Sequence, residues 1–178
     1  YFKVRDNAGL WSTEVTALVY VGRSVSTEQE SNDTLSRANE MALNHPVRGK
    51  IDAVSDRDFF KVYMDQPGHL TFRISNVPTN LLLQAACYNH TWDWLGINQA
   101  APLEGNDVTV SLDVTTKGFV YISIEDIHGQ ANTNLTYMLA ATNAVAFDPY
   151  EENDVMAHAA RLTNDTLDAL FFPRSDQD

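Results

Sequence analysis

A single cysteine, Cys87, in a chain of 178 residues rules out an internal disulfide and leaves the redox compartment open. It ends the run Leu81-Leu82-Leu83-Gln84-Ala85-Ala86-Cys87, where a small buried hydrophobe is expected in preference to a reactive thiol. Basic residues are scarce too. Against 24 Asp and Glu stand 12 Lys and Arg, a formal net charge of −12, which excludes a nucleic-acid partner because phosphate backbones require a basic footprint. No apolar run approaches the roughly 20 residues needed to cross a bilayer, so membrane insertion is not expected. Long amphipathic helical patterns are missing. So are a Gly-x-Ser-x-Gly elbow, a His-Glu-x-x-His helix and a phosphate-cradling Gly-rich loop, while His45, His69, His90, His128 and His158 are scattered, so a noncatalytic chain is expected.

What the chain does have is one acidic signature written twice. Glu28-Gln29-Glu30-Ser31-Asn32-Asp33 is followed by Ser55-Asp56-Arg57-Asp58, and Glu151-Glu152-Asn153-Asp154 by Ser175-Asp176-Gln177-Asp178. The interval from Asn32 to Asp58 matches that from Asn153 to Asp178 to within one residue. Repetition at matched spacing indicates a modular array. The chain opens abruptly in strand-like sequence with no signal peptide, so its true N-terminus is expected upstream.

Between the signatures the pattern is strand after strand. Segments Val47 to Ile51, Phe59 to Met64, His69 to Ser75, Leu81 to Tyr88, Val108 to Val114, Phe119 to Ile127 and Leu135 to Ala141 are separated by Pro67-Gly68, Pro78-Thr79-Asn80, Gly105-Asn106-Asp107, Lys117-Gly118 and Gly129. Short, evenly spaced strands with turn residues between them predict an all-β fold, an antiparallel β-sandwich of jelly-roll type. A short helical turn is expected through Leu35, Ala38 and Met41. Alternation assigns Val108, Val110, Leu112 and Val114 to one face of their strand, and sets Val120, Ile122, Ile124 and Asp126 against Phe119, Tyr121, Ser123 and Glu125. The expected organisation is a hairpin over 1–22, a sandwich over 23–145 with a polar linker at its start, and a truncated second copy over 146–178.

Glu28, Glu30 and Asn32 alternate, so an extended segment projects them to one side with Asp33 adjacent; Asp56 and Asp58 stand in the same relation before the strand beginning near Phe59. Gathered together they present five carboxylates and one amide oxygen, a costly grouping of like charges without a cation. Oxygen donors in this number, without His or Cys, suit calcium, which takes 6 to 8 oxygens. No EF-hand loop is present. A solvated acidic linker beside an unrelated acidic turn is the plainer alternative. An acid–base pair of Asp56 and Asp58 for glycoside hydrolysis is disfavoured by the three further acids.

Two resemblances follow from these residues. Asp6-Asn7-Ala8-Gly9-Leu10-Trp11-Ser12 resembles the last hairpin of bacterial immunoglobulin-like or fibronectin type III modules, with Leu10 where the pattern has Asn. Glu28-x-Glu30-x-Asn32-Asp33-Thr34, Ala38, Gly49-Lys50-Ile51, Asp56-x-Asp58-Phe59-Phe60-x-Val62 and Pro67-Gly68-His69-Leu70 together resemble the bacterial pre-peptidase C-terminal domain, a family that includes the collagen-binding domains of clostridial collagenases. The likeness covers roughly residues 27 to 142, and Asp148-Pro149-Tyr150-Glu151-Glu152-Asn153-Asp154 with Ala157 resembles the start of another copy.

This second resemblance implies a sandwich whose acidic N-terminal segment folds back to bind calcium. It marks Glu28, Glu30, Asn32, Asp33 and Asp58 as ligands, with Asp56 and the Lys50 backbone carbonyl joining them. In the second copy it points to Asp148, Glu151, Asn153, Asp154, Asp176 and Asp178. Ser55 stands where the collagenase version has an acidic residue; either Asp56 substitutes for it or one calcium is held where relatives hold two. The implied function is a calcium-stabilised, noncatalytic accessory module of a large secreted bacterial protein, such as a modular peptidase. Extracellular fibres or polysaccharides and neighbouring modules of the same chain are the expected partners. A structural repeat of an adhesin or surface fibre, assembling by β-strand addition, is the alternative. Tyr88, Trp92 and Trp94 cluster around Asn89-His90-Thr91, either bracing a hairpin or forming a platform for sugar rings or a fibrous peptide.

Overall fold

A computed structural model describes residues 25–145 of the chain. The hairpin expected over 1–22 and the second copy expected over 146–178 lie outside the described residues. Ten strands build the described part: β1 (Ser26–Thr27), β2 (Asn39–Met41), β3 (Val47–Gly49), β4 (Arg57–Met64), β5 (Gly68–Ser75), β6 (Leu83–Tyr88), β7 (Trp94–Ala100), β8 (Val108–Val114), β9 (Gly118–Asp126) and β10 (Tyr137–Val145). They form two five-stranded sheets, ordered β1-β3-β10-β5-β8 and β2-β4-β9-β6-β7, that pack as a sandwich. Most neighbours are antiparallel. The expectation of a purely antiparallel sandwich is corrected at two edges, where β1 lies parallel to β3 and β2 parallel to β4. Both are two- or three-residue strands from the segment preceding β4, laid along edges that longer antiparallel strands leave open.

Period-two alternation decides what is buried. Phe60, Val62 and Met64 of β4, Leu70, Phe72 and Ile74 of β5, Leu83, Ala85 and Cys87 of β6, and Val120, Ile122 and Ile124 of β9 all enter the core. Val108, Val110, Leu112 and Val114 do so along β8, the face alternation selects. Cys87 is fully buried, and desolvation pushes its thiol up to about 12, the behaviour of an inert packing residue.

Three local expectations shift. The helical turn shrinks to a 3-10 turn over Leu35–Arg37, and Met41 instead closes β2 with its side chain in the core. The last strand starts at Tyr137, because Asn132 Oδ1 accepts the Asn134 and Leu135 N–H groups and holds those residues in a turn. Strand β7 has no counterpart in the sequence reading: Gly96 interrupts its pattern, and as an exposed edge strand it turns only Ile97, partly buried, against the core.

Candidate metal centre

The first acidic segment lies across the start of β4. Glu28 donates its N–H to the Arg48 carbonyl at 2.9 Å, and its Oε1 accepts the Lys50 N–H at 2.5 Å. Gln29 is locked reciprocally to Asn39, its N–H donating to Asn39 Oδ1 at 2.5 Å and its carbonyl accepting from Asn39 Nδ2 at 3.0 Å. The Glu30–Ser31 peptide bond is cis. The Asn32 carbonyl then accepts the Phe59 N–H at 3.0 Å, stitching the segment to β4 beside Asp58.

Asp58 shares the inward face of β4 with Phe60, Val62 and Met64, so its carboxylate lies at the margin of the core with no solvent exposure. Its Oδ2 accepts the hydroxyl of Tyr137 at 2.5 Å, across from the other sheet. Tyr137 reaches it by lying over Gly49, its cross-strand partner: a Cβ there would sit 2.2 Å from the phenol ring. Only glycine leaves that space. Asp56, one turn before β4, accepts the Asp52 N–H at 2.7 Å. Ser55 adopts φ 65° and is exposed beside it.

These placements bring carboxylate oxygens of Glu28, Glu30 and Asp58 within 4.8 Å of one another, and likewise those of Glu30, Asp33 and Asp56. Glu30 belongs to both groups. Lys50 reaches the site through its amide. Among the described residues no lysine or arginine pairs with any of these five acids; Lys50 Nζ turns to Asp52 at 3.2 Å and Arg37 to Ser31. The candidates of the second copy, Asp148 to Asp178, lie outside the described residues.

Electrostatics register the crowding. Desolvation, then the neighbouring Glu30, pushes Glu28 from its ordinary 4.5 up to about 8. Desolvation, then Glu28, pushes Asp58 from 3.8 up to about 9, against the opposing effect of the Tyr137 hydrogen bond. Glu30 and Asp56 are raised as well, burial again leading.

Two atoms test whether a cation fits. Glu28 Oε2 is buried with no hydrogen-bond partner. The Asn32 side chain is fully buried with one end of its amide 3.0 Å from Glu30 Oε2 and 3.2 Å from Asp58 Oδ1: its nitrogen there would donate to both carboxylates, and its oxygen would join them around an ion. Oxygen facing oxygen is repulsive between the bare groups and favourable around a shared positive ion. Oxygens on one calcium can stand up to about 5 Å apart, twice the calcium–oxygen distance, which accommodates both groups.

Sequence reasoning missed Tyr137. It lies 79 residues beyond Asp58, and an alternating Tyr at a strand start reads simply as core.

The described part of the chain is therefore an all-β sandwich bearing clustered acids at the margin of its core. No protein-family model and no curated protein matches the sequence. Among solved structures it is similar to the pre-peptidase C-terminal domain of a collagenase from Bacillus anthracis, at 13% identity and TM-score 0.45, covering 59% of this chain and 94% of that one. It is also similar to a cycloisomaltooligosaccharide glucanotransferase from Paenibacillus sp. in complex with cycloisomaltoheptaose, at 12% identity and TM-score 0.33, covering 59% of this chain and 17% of that one.

Proposed function

We propose that the chain is a noncatalytic module of a secreted bacterial protein, in which calcium fastens the acidic N-terminal segment to the sandwich. The convergence of Glu28, Glu30 and Asp58 around Asn32, with no lysine or arginine paired to them among the described residues, carries this reading. Glu28, Glu30, Asn32 and Asp58 would hold one ion; Asp33 and Asp56, with Glu30 shared, would complete the site or hold a second. The donors are oxygen throughout, which suits calcium better than zinc or copper, and the number of protein carboxylates exceeds what magnesium usually takes. Bound calcium supplies the positive charge that lets these carboxylates ionise while buried. It would stiffen the linker at the roughly millimolar calcium of extracellular fluids and leave it loosely held in calcium-poor cytoplasm. The recurrence of the signature at Glu151-Glu152-Asn153-Asp154 and Asp176 to Asp178 supports a modular arrangement with a second site.

Scanning calorimetry with calcium and with a chelator tests this. Calcium at a hundredfold excess over its Kd stabilises by about 2.7 kcal/mol, raising Tm by about 7–11 °C for a domain of this size. Asp58→Asn should abolish the difference. Equal melting temperatures in calcium and chelator would overturn the reading.

A further inference from the structure

The two outer faces of the sandwich are unlike. On the first sheet the outward side chains of β5 and β8 are polar and mutually paired: His69 with Asp113 at 2.7 Å, Thr71 with Ser111 at 2.9 Å, Arg73 with Asp107 at 2.9 Å. That is the ordinary dress of a solvated sheet. The second sheet turns aromatics outward. Strand register places Glu40, Lys61, Tyr121, Tyr88 and Trp94 in one row across all five of its strands, a span of about 19 Å at the usual strand spacing. The next row adds Tyr63 opposite Phe119, their rings in edge contact at 5.2 Å, and Phe119 also meets Tyr121 at 6.3 Å.

The ends of this strip are open. Tyr63 is 48% exposed and Trp94 61%. Trp94 is held in place, its indole N–H donating to the Ile97 carbonyl at 3.3 Å. Trp92, 50% exposed, stands at φ 70° on the β6–β7 turn, a conformation that costs a bulky residue energy and is retained mostly where it serves a site. The turn is fixed by Asn89 Oδ1, which accepts the N–H groups of Thr91 and Asp93 and the Thr91 hydroxyl.

Charge narrows the partner. On a chain of net charge −12, the charges on the strands of this face pair, Arg57 with Glu125 and Lys61 between Glu40 at 3.5 Å and the Phe119 ring at 4.8 Å, while the exposed acids Asp65 and Asp93 stand at its two ends beside Tyr63 and Trp94. An aromatic surface with paired charges at its centre and acids at its ends repels a polyanion and offers a polycation no continuous track. It suits flat, uncharged rings with an apolar face and hydroxyls at the rim, which Asn98, one row from Tyr88 and Trp94, can meet at the margin of the strip. We propose that the outer face of the second sheet, centred on Tyr63, Phe119, Tyr88 and Trp94, binds an uncharged polysaccharide by stacking sugar rings on its aromatics. This face shares no residue with the candidate metal centre.

Native-gel retardation of the whole chain through hydroxyethylcellulose, dextran or amylopectin tests it, with polygalacturonate and gelatin as controls. At least one uncharged polysaccharide should retard the chain. Trp94→Ala and Tyr63→Ala should each weaken retardation about fivefold to tenfold while keeping the calcium-dependent rise in Tm. Asp58→Asn should lose that rise and keep retardation at temperatures where it is folded, so the two proposals fail separately. Retardation by none of the three, retardation unchanged in the double variant, or binding to gelatin or polygalacturonate alone would each overturn the proposal.

Discussion

Asp58 and Tyr137 illustrate how one hydroxyl can matter beyond its own bond. The Tyr137 O–H fixes Asp58 Oδ2, leaving Oδ1 turned toward Asn32; outer groups that orient ligands in this way commonly change metal affinity by about 10- to 100-fold when lost. Tyr137→Phe should therefore weaken calcium binding by about that factor in titration calorimetry, with the sandwich still folded. The pH response follows from the raised carboxyls. With calcium removed, folded Glu28 and Asp58 keep protons that the unfolded chain has released, so their contribution is full below about pH 4 and is lost as pH rises through about 8 and 9. The calcium-free Tm should fall across that window. Because calcium binds the ionised forms, its stabilising effect should grow over the same range, with protons released on binding. Melting curves from pH 4 to 9 with and without chelator check both signs.

At the scale of elements, the strands were legible because each long one alternates, and their inward sets in β8 and β9 are those the residues indicate. What alternation cannot report is partnership. The parallel placement of β1 and β2 depends on which edges remain open after the longer strands have paired, and β7 gives the core only the partly buried Ile97. Asp126 makes the same point among acids. It falls on the inward face of β9, yet it belongs to neither metal group: Oδ1 accepts the His128 and Gln130 N–H groups at 2.9 and 2.7 Å, and Oδ2 accepts that of Leu82 at 2.6 Å. It ties the β9–β10 loop to the start of β6. Asp126→Ala would strand three backbone donors and should destabilise the fold by about 3 kcal/mol or more while leaving the increment due to calcium intact, as paired melting curves would reveal.

For the molecule as a whole, the acids of the candidate site could be picked out by their repeated spacing, since i, i+2 pairs in extended chain point the same way whatever surrounds them. The element that positions them could not. Gly49 and Tyr137 meet only through strand pairing between distant segments, and the aromatic row across the second sheet is assembled from four strands that contribute one ring or two each. Tyr88 and Trp94 could be suspected from sequence because they are near neighbours; Tyr63 and Phe119 could not.

Strand β1 runs antiparallel to β10 with β3 between them, and Ser26 stands level with Leu139. Ser26 therefore stands two residues from the start of β10 at Tyr137 and six, about 20 Å, from its end at Val145. Tension on the chain ahead of Ser26 would load β1 first and strip Ser26 and Thr27 from β3. The next residue to be reached is Glu28, held by Arg48 and Lys50, so the proposed calcium would be the first firm stop against mechanical unzipping.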